Sequence, residues 1–227
     1  TVVVKRITEG SITSPRHSVI FSDAEGRITD ATEFSDDIRP GQEISTNIMV
    51  INRMYLLNIL GDAAAHGYTS FFRDVIARNI HHANYHVYHY DGYYALVSSL
   101  AGYFDCSMQL LRADVRDALF GVVERPIYTK VRNSAPTIYR TGSSVGNTLI
   151  ADGCIIEGTV ENSIIFRGVK VGRGSVVRNS ILLQDTVVGS GVSLNCVVTD
   201  KNTVVRDGRV LSGHETMPFF IGKGIMV

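Results

Sequence analysis

The spacing of apolar positions divides the chain in two. Over residues 150–205 aliphatic side chains recur six apart, from Ile150 to Ile156, along Ile165, Val171 and Val177, and along Leu182, Val188 and Leu194. Between these runs the spacing slips, by nine from Ile156 to Ile165 and by five from Val177 to Leu182. Six is neither the helix period of about 3.6 nor the alternation of a flat strand. It is the period of a coil in which each rung buries one aliphatic residue per side against the rungs above and below. Gly172 and Gly189 directly follow Val171 and Val188, and Gly168, Gly174 and Gly191 stand where such a coil turns a corner. The segment is predicted to be a parallel β-helix, and the spacing leaves its handedness open.

Ahead of the hexads the periods of strand and helix alternate. Strands are predicted over residues 2–6, 17–21 and 28–34, with Ser22-Asp23-Ala24-Glu25-Gly26 as a hairpin turn between the second and third. Pro40-Gly41 breaks the chain before a strand over 44–51. Asn52 is placed to cap a helix that carries Met54, Leu57 and Leu60-Gly61 on one stripe. A helix over 70–80 groups Phe71, Val75 and Ile76 with Phe72. Residues 84–90 alternate as a strand, and a helix over 98–111 brings Leu100, Tyr103, Phe104, Met108 and Leu111 near one face. Strands and helices in alternation point to an α/β domain.

Composition narrows the function. The 227 residues suffice for two domains with cores of their own. Lys plus Arg equals Asp plus Glu at 22 each, which argues against a general nucleic-acid or membrane-surface partner. No window approaches the roughly 18 apolar residues of a membrane span. Three widely separated cysteines, Cys106, Cys154 and Cys196, suit reduced thiols and a cytoplasmic location. The chain begins at Thr1 and enters a strand-like run at once, which points to a piece of something longer. His81, His82, His86 and His89 invite a metal reading, but on a strand His86 and His89 face opposite ways, and no carboxylate or cysteine sits beside them at ligand spacing.

Residues 92–111, GYYALVSSLAGYFDCSMQLL, resemble the Gly-Tyr-Trp-Arg-Asp-Val-Gly-Thr segment and following helix of bacterial glucose-1-phosphate adenylyltransferases. Residues 127–139, IYTKVRNSAPTIY, resemble that family's Ile-Tyr-Thr linker, and the stretch from Leu149 to Cys154 is similar to the opening of its β-helix. The order of hairpin, strand, helix, linker and hexads resembles the family over nearly the whole chain. The resemblance implies the C-terminal part of a Rossmann-like α/β nucleotidyltransferase domain over 1–112, a linker over 113–147, and a left-handed parallel β-helix of hexapeptide repeats over 148–227. It also implies that the family's nucleotide-binding loop is not in this sequence. Gly142-Ser143-Ser144-Val145-Gly146 carries no Lys or Arg, and Gly172-Arg173-Gly174 belongs to the hexads.

The departures from the family pattern fall on its sugar pocket. Where the family has Trp-Arg-Asp, this chain has Tyr94-Ala95-Leu96; Leu96 brings no oxygen to a magnesium ion and Ala95 no charge to a phosphate. Where the family's Glu-Lys-Pro grips the sugar phosphate, this chain has Ser35-Asp36-Asp37-Ile38-Arg39. The family's Ser-Met-Gly-Ile-Tyr becomes Ser45-Thr46-Asn47-Ile48-Met49. A vestigial pocket on a retained scaffold resembles the GlgD-type regulatory subunit, which is weakly catalytic or non-catalytic. That resemblance implies a role in glycogen biosynthesis and a hetero-oligomer, a tetramer, with a catalytic subunit. Mg2+ is then expected only at that partner, with no cofactor in this chain. It further implies a sugar-phosphate or nucleotide effector, for which Lys130, Arg132 and Arg140 form a basic cluster in the linker. Two alternatives stand beside it. One is a self-sufficient sugar-phosphate nucleotidyltransferase. The other is a hexapeptide acyltransferase, which requires a catalytic His in the coils, whereas residues 150–205 hold none and His214 lies beyond them.

Overall fold

The computed structural model describes residues 1–8, 17–35 and 38–227. They form two compact units, residues 1–96 and 97–227.

In the first unit five strands pair in the order β3-β2-β4-β1-β5. These are β1 (Val2–Arg6), β2 (His17–Ser22), β3 (Ile28–Ser35), β4 (Glu43–Met49) and β5 (Val87–His89). All neighbours are antiparallel except β1 and β5. The turn between β2 and β3 closes through Asp23, whose carboxylate accepts from the N–H groups of Glu25 (3.1 Å) and Arg27 (2.8 Å). Val2, Val4, Ile20 and Ile28 bury one sheet face against Phe72, Ile76, Ile80 and Tyr85.

The two helices of this unit fare differently. Residues Phe71–Ala77 form a π-helical segment with Phe72, Val75 and Ile76 buried, as the grouping in the sequence requires. Helix α1 (Arg53–His66) begins where predicted, with the Asn52 side chain accepting from the N–H groups of Met54 and Tyr55. It contains no buried residue, however, and its stripe of Met54, Leu57 and Leu60 is 62%, 49% and 49% exposed. Asp74 is 5% exposed and anchors the start of the π-helical segment, accepting from the N–H groups of Thr69 and Ser70 at 3.0 Å each.

The second unit is the β-helix. Fifteen short strands, from Ile138–Tyr139 to Phe219–Ile221, stack as three parallel sheets of five. Inward positions lie directly over one another: Val160, Val177 and Leu194 in one sheet, Ile165 and Leu182 in the second, Ile156, Val171 and Val188 in the third. All of these are at most 1% exposed. The slips in the hexads are corners. In every complete rung one corner takes five residues rather than six, from Val160 to Ile165 and from Val177 to Leu182 alike. Its tightness comes from a left-handed residue: Asn147, Asn162, Asn179 and Cys196 have φ of 43°, 44°, 45° and 51°. After Asn162 and Asn179 come Ser163 and Ser180, both fully buried, whose hydroxyls return to the carbonyls of Glu161 and Arg178. The slip of nine adds a shortened corner at Gly158, where a Cβ would collide with the Ser175 carbonyl.

The last residues of the sequence pack over the final rung. Val227 packs on the apolar column, and its N–H and C=O join Val204 and Arg206 at 2.9 and 2.8 Å. At the opposite end the first-rung inward residues Tyr139 and Val145 remain 54% and 40% exposed. Helix α2 (Leu100–Gln109), capped by the Ser99 hydroxyl on the Gly102 N–H at 3.0 Å, lays Phe104 on the outer face of one sheet, against Ile164, Ile181 and Val198. Residues 113–120, inside the stretch read as linker, form helix α3 (Ala113–Phe120). Arg116 from α3 donates to the Leu110 and Leu111 carbonyls at 2.9 and 2.7 Å, satisfying the end of α2. The contact boundary after Leu96 thus groups residues 97–112 with the coils, whereas the family pattern groups them with the α/β part.

Two outcomes test this account. Leu182 is fully buried, so Leu182→Ala should lower unfolding free energy by about 2–5 kcal/mol, read by urea denaturation; a loss of a few tenths would mean that the column is loosely packed. Asp74 titrates well below the usual carboxylate range, chiefly because Arg73 donates to it, with the Ser70 and Thr69 N–H groups adding to the effect. A depressed carboxylate contributes stability that is present above its unfolded value of about 3.9 and is lost as pH falls through the folded one. Asp74→Asn should therefore flatten the loss of stability between pH 5 and pH 2, and an unchanged acid limb would rule Asp74 out as its source.

Candidate functional site

Three groups of residues carry the sequence-derived site, and the structure treats each differently. Ser45 lies on β4 opposite Val4 and is 2% exposed. Its hydroxyl accepts the Asn47 N–H at 3.1 Å, and Asn47 is left-handed with φ 61°. The neighbouring Thr46 hydroxyl donates to the Val3 carbonyl at 2.9 Å. The hydroxyls of Ser45 and Thr46 are thus both engaged with the backbone of their surroundings.

The Tyr94-Ala95-Leu96 stretch has no regular structure and follows a segment pinned by Lys5, whose ammonium donates to the Asp91 and Gly92 carbonyls at 2.8 Å each. Ala95 is exposed and Leu96 half-buried. Tyr94 is half-buried, its hydroxyl is enclosed with no hydrogen-bond partner among the described residues, and burial pushes its pKa up. A methyl group and an isobutyl group offer a magnesium ion nothing, so these residues do not fit the metal that the family's Trp-Arg-Asp pattern implies. No hydrogen bond or ion pair joins Ser45 to residues 94–96. Of the acidic stretch before Pro40, Asp36 and Asp37 lie outside the described residues, and the Arg39 N–H is tied to Gln42 Oε1 at 2.8 Å.

Lys130, Arg132 and Arg140 are exposed. Residues 121–137 are irregular, and Tyr128 and Val131 stand out at 90% and 85% exposure. Arg140 is the one of the three fixed by an element: it directly follows the first strand of the first rung, its N–H donating to the Ile156 carbonyl at 2.9 Å. The side chains of Lys130, Arg132 and Arg140 make no hydrogen bond or ion pair with a described residue. They are available cations rather than an assembled site.

Among the described residues no group of three or more His, Cys, Asp and Glu could hold a metal ion. His81 and His82 are exposed in a turn, and His89 places Nδ1 3.2 Å from Glu43 Oε1. That contact belongs to a cluster the sequence did not disclose. Glu43, at the start of β4, is 7% exposed and also accepts from Arg6 Nη2 (3.1 Å) and the Ser22 hydroxyl (3.3 Å). His214 lies in a tight turn after the strand Val210–Ser212, its Nδ1 3.0 Å from the Thr216 hydroxyl, and no described feature gives it a substrate to serve.

Comparison with known proteins places this geometry. The family model described as GlmU-like, C-terminal hexapeptide matches residues 135–216, the coils themselves. A glycogen biosynthesis protein GlgD from Bacillus subtilis (strain 168) is 43% identical over 139 residues, 61% of this chain and 40% of that protein. The GlgD of Geobacillus stearothermophilus is 49% identical over 118 residues, 52% of this chain and 34% of that one. The chain is a relative of GlgD and of the glucose-1-phosphate adenylyltransferases. The adenylyltransferase of Thermotoga sp. (strain RQ2) is 30% identical over 168 residues, 72% of this chain and 39% of the enzyme. The chain therefore spans 34–40% of the length of these relatives. The two GlgD proteins match at higher identity and the adenylyltransferase over more of the chain. No helix among the described residues is long and apolar enough to cross a membrane.

Proposed function

We propose that this chain serves glycogen biosynthesis as a regulatory, weakly catalytic or non-catalytic subunit beside a catalytic glucose-1-phosphate adenylyltransferase, the enzyme that makes ADP-glucose and diphosphate from ATP and glucose 1-phosphate. The observation that carries the reading is the chemistry at Tyr94-Ala95-Leu96 in a relative of GlgD: no carboxylate for a metal at Leu96 and no charge for a phosphate at Ala95. A scaffold with a disabled pocket acts through contacts. In this reading the coils and the α/β unit pack against catalytic subunits in a cytoplasmic hetero-tetramer. Mg2+ works only in the partner's site, and this chain binds no cofactor.

Regulation then is a coupling free energy between an effector and the partner's active state, commonly about 1–3 kcal/mol. Exposed and without an ionic partner among the described residues, Lys130, Arg132 and Arg140 supply the cations that a sugar phosphate or nucleotide requires. The competing reading, a self-sufficient sugar-phosphate nucleotidyltransferase, draws on the longer match to the Thermotoga adenylyltransferase. It has to place its metal ligands outside residues 94–96.

ADP-glucose synthesis by the protein alone and mixed with a catalytic subunit of the same organism separates the two. Turnover confined to the mixture, with an altered maximal rate or effector response, is the expected result; robust turnover by the protein alone would overturn the regulatory reading. In the same mixture, Lys130→Ala with Arg132→Ala should weaken the effector's activation several-fold while leaving the effector-free rate in place. An unchanged response removes both residues from the effector site.

A further inference from the structure

We propose that the cleft around Glu43 in the first unit is a binding site for an uncharged sugar or polyol. The cleft is an open depression of about 570 Å3, lined by Arg6, Phe21, Ser22, Gln42, Glu43 and His89, among others. None of the positions read as sugar pocket or effector site lines it, so the proposal stands apart from the regulatory reading.

Four strands contribute to one constellation. Glu43 from β4 receives Arg6 from β1 at 3.1 Å, the Ser22 hydroxyl from β2 at 3.3 Å, and faces His89 Nδ1 from β5 at 3.2 Å. A carboxylate paired in this way adds little stability once its desolvation is counted, so a strand clamp is a weak account of it. What the cluster does supply is a set of donors and acceptors along the wall of an open cleft. The side chains of Arg6 and His89 are 66% and 49% exposed, so each keeps a face outside its contact with Glu43. Gln42 commits Oε1 to the Arg39 N–H and keeps its amide donors. Phe21, 42% exposed, is an apolar wall of the kind on which the C–H face of a sugar ring lies.

Charge decides the ligand class. Asp23 also lines the cleft, so the Arg6 cation is outnumbered by two carboxylates. A phosphate would meet them both, whereas a vicinal pair of hydroxyls accepts from the guanidinium or imidazole and donates to a carboxylate.

Saturation-transfer NMR on the protein, with glucose, maltotriose and sorbitol as neutral probes and glucose 6-phosphate as the anionic one, tests the assignment. Transfer to at least one neutral probe is expected, reduced several-fold by Phe21→Ala and by Glu43→Gln and unaffected by Lys170→Ala on the coils. Should Glu43→Gln fail to fold, Phe21→Ala and Ser22→Ala decide the matter. Absence of transfer to every neutral probe, stronger transfer to glucose 6-phosphate, or undiminished transfer in Phe21→Ala would each overturn the proposal.

Discussion

The parallel stacking of rungs is the constraint on which the second unit depends. A strand of two or three residues cannot stand alone, and here each is held by its neighbouring strands and by the residue it turns inward, with α2 adding contacts on the outer face of one sheet. Val177 sits between Val160 and Leu194, and Val171 between Ile156 and Val188. Each inward residue is thus packed twice, and a change of chain length in one rung must be absorbed at a corner or the whole column loses register. The one rung that is shorter makes the point. It loses its residues at the corner of Gly158, where backbone meets backbone and no side chain fits, while the inward column continues without a gap.

Corners also explain how much of this unit was legible. The hexads name the inward residues because burial selects aliphatic side chains, and the structure puts those residues in the column. The five-residue step was visible only as an irregularity, yet its cause was written in the sequence as Asn147-Thr148, Asn162-Ser163 and Asn179-Ser180. Asn tolerates the left-handed conformation, and the hydroxyl that follows satisfies backbone in the interior, with Ser163 receiving the Ser180 N–H and Ser180 the Val197 N–H at 3.1 Å each. An aliphatic period does not register this polar ladder. The fourth corner breaks the signature altogether, since Cys196-Val197 replaces Asn-Ser and Cys196 still adopts φ 51°.

In the first unit local signals were legible and partners were not. The hairpin, the Asn52 cap and the apolar grouping at 71–76 depend on residues close in sequence, which one chain displays. The exposed stripe of α1 shows the limit of periodicity: spacing says that Met54, Leu57 and Leu60 share a face, not what that face meets. The Glu43 cluster was illegible for a related reason. Arg6, Ser22, Glu43 and His89 are separated by up to 83 residues and are joined only by the order of the strands. A glutamate opening a strand reads as an ordinary edge charge until β1, β2 and β5 close around it.

The candidate site turns on the difference between what a scaffold needs and what a reaction needs. Strand pairing at β4 uses the backbone and tolerates Thr46 and Asn47 where the family pattern differs: the Thr46 hydroxyl donates to the Val3 carbonyl, and the Asn47 N–H donates to the Ser45 hydroxyl. Phosphoryl chemistry tolerates far less. It requires charge stabilisation at fixed points, and neither Leu96 nor Ala95 can be polarised into supplying it. A chain can therefore keep the strands, the helix α2 on its sheet face and the coils while losing the oxygen atoms that turnover uses. The reverse order, losing the fold while keeping the pocket, is closed to it. For this reason the proposed role rests on the missing carboxylate at Leu96 and the missing charge at Ala95 rather than on the length of sequence matched to the adenylyltransferases.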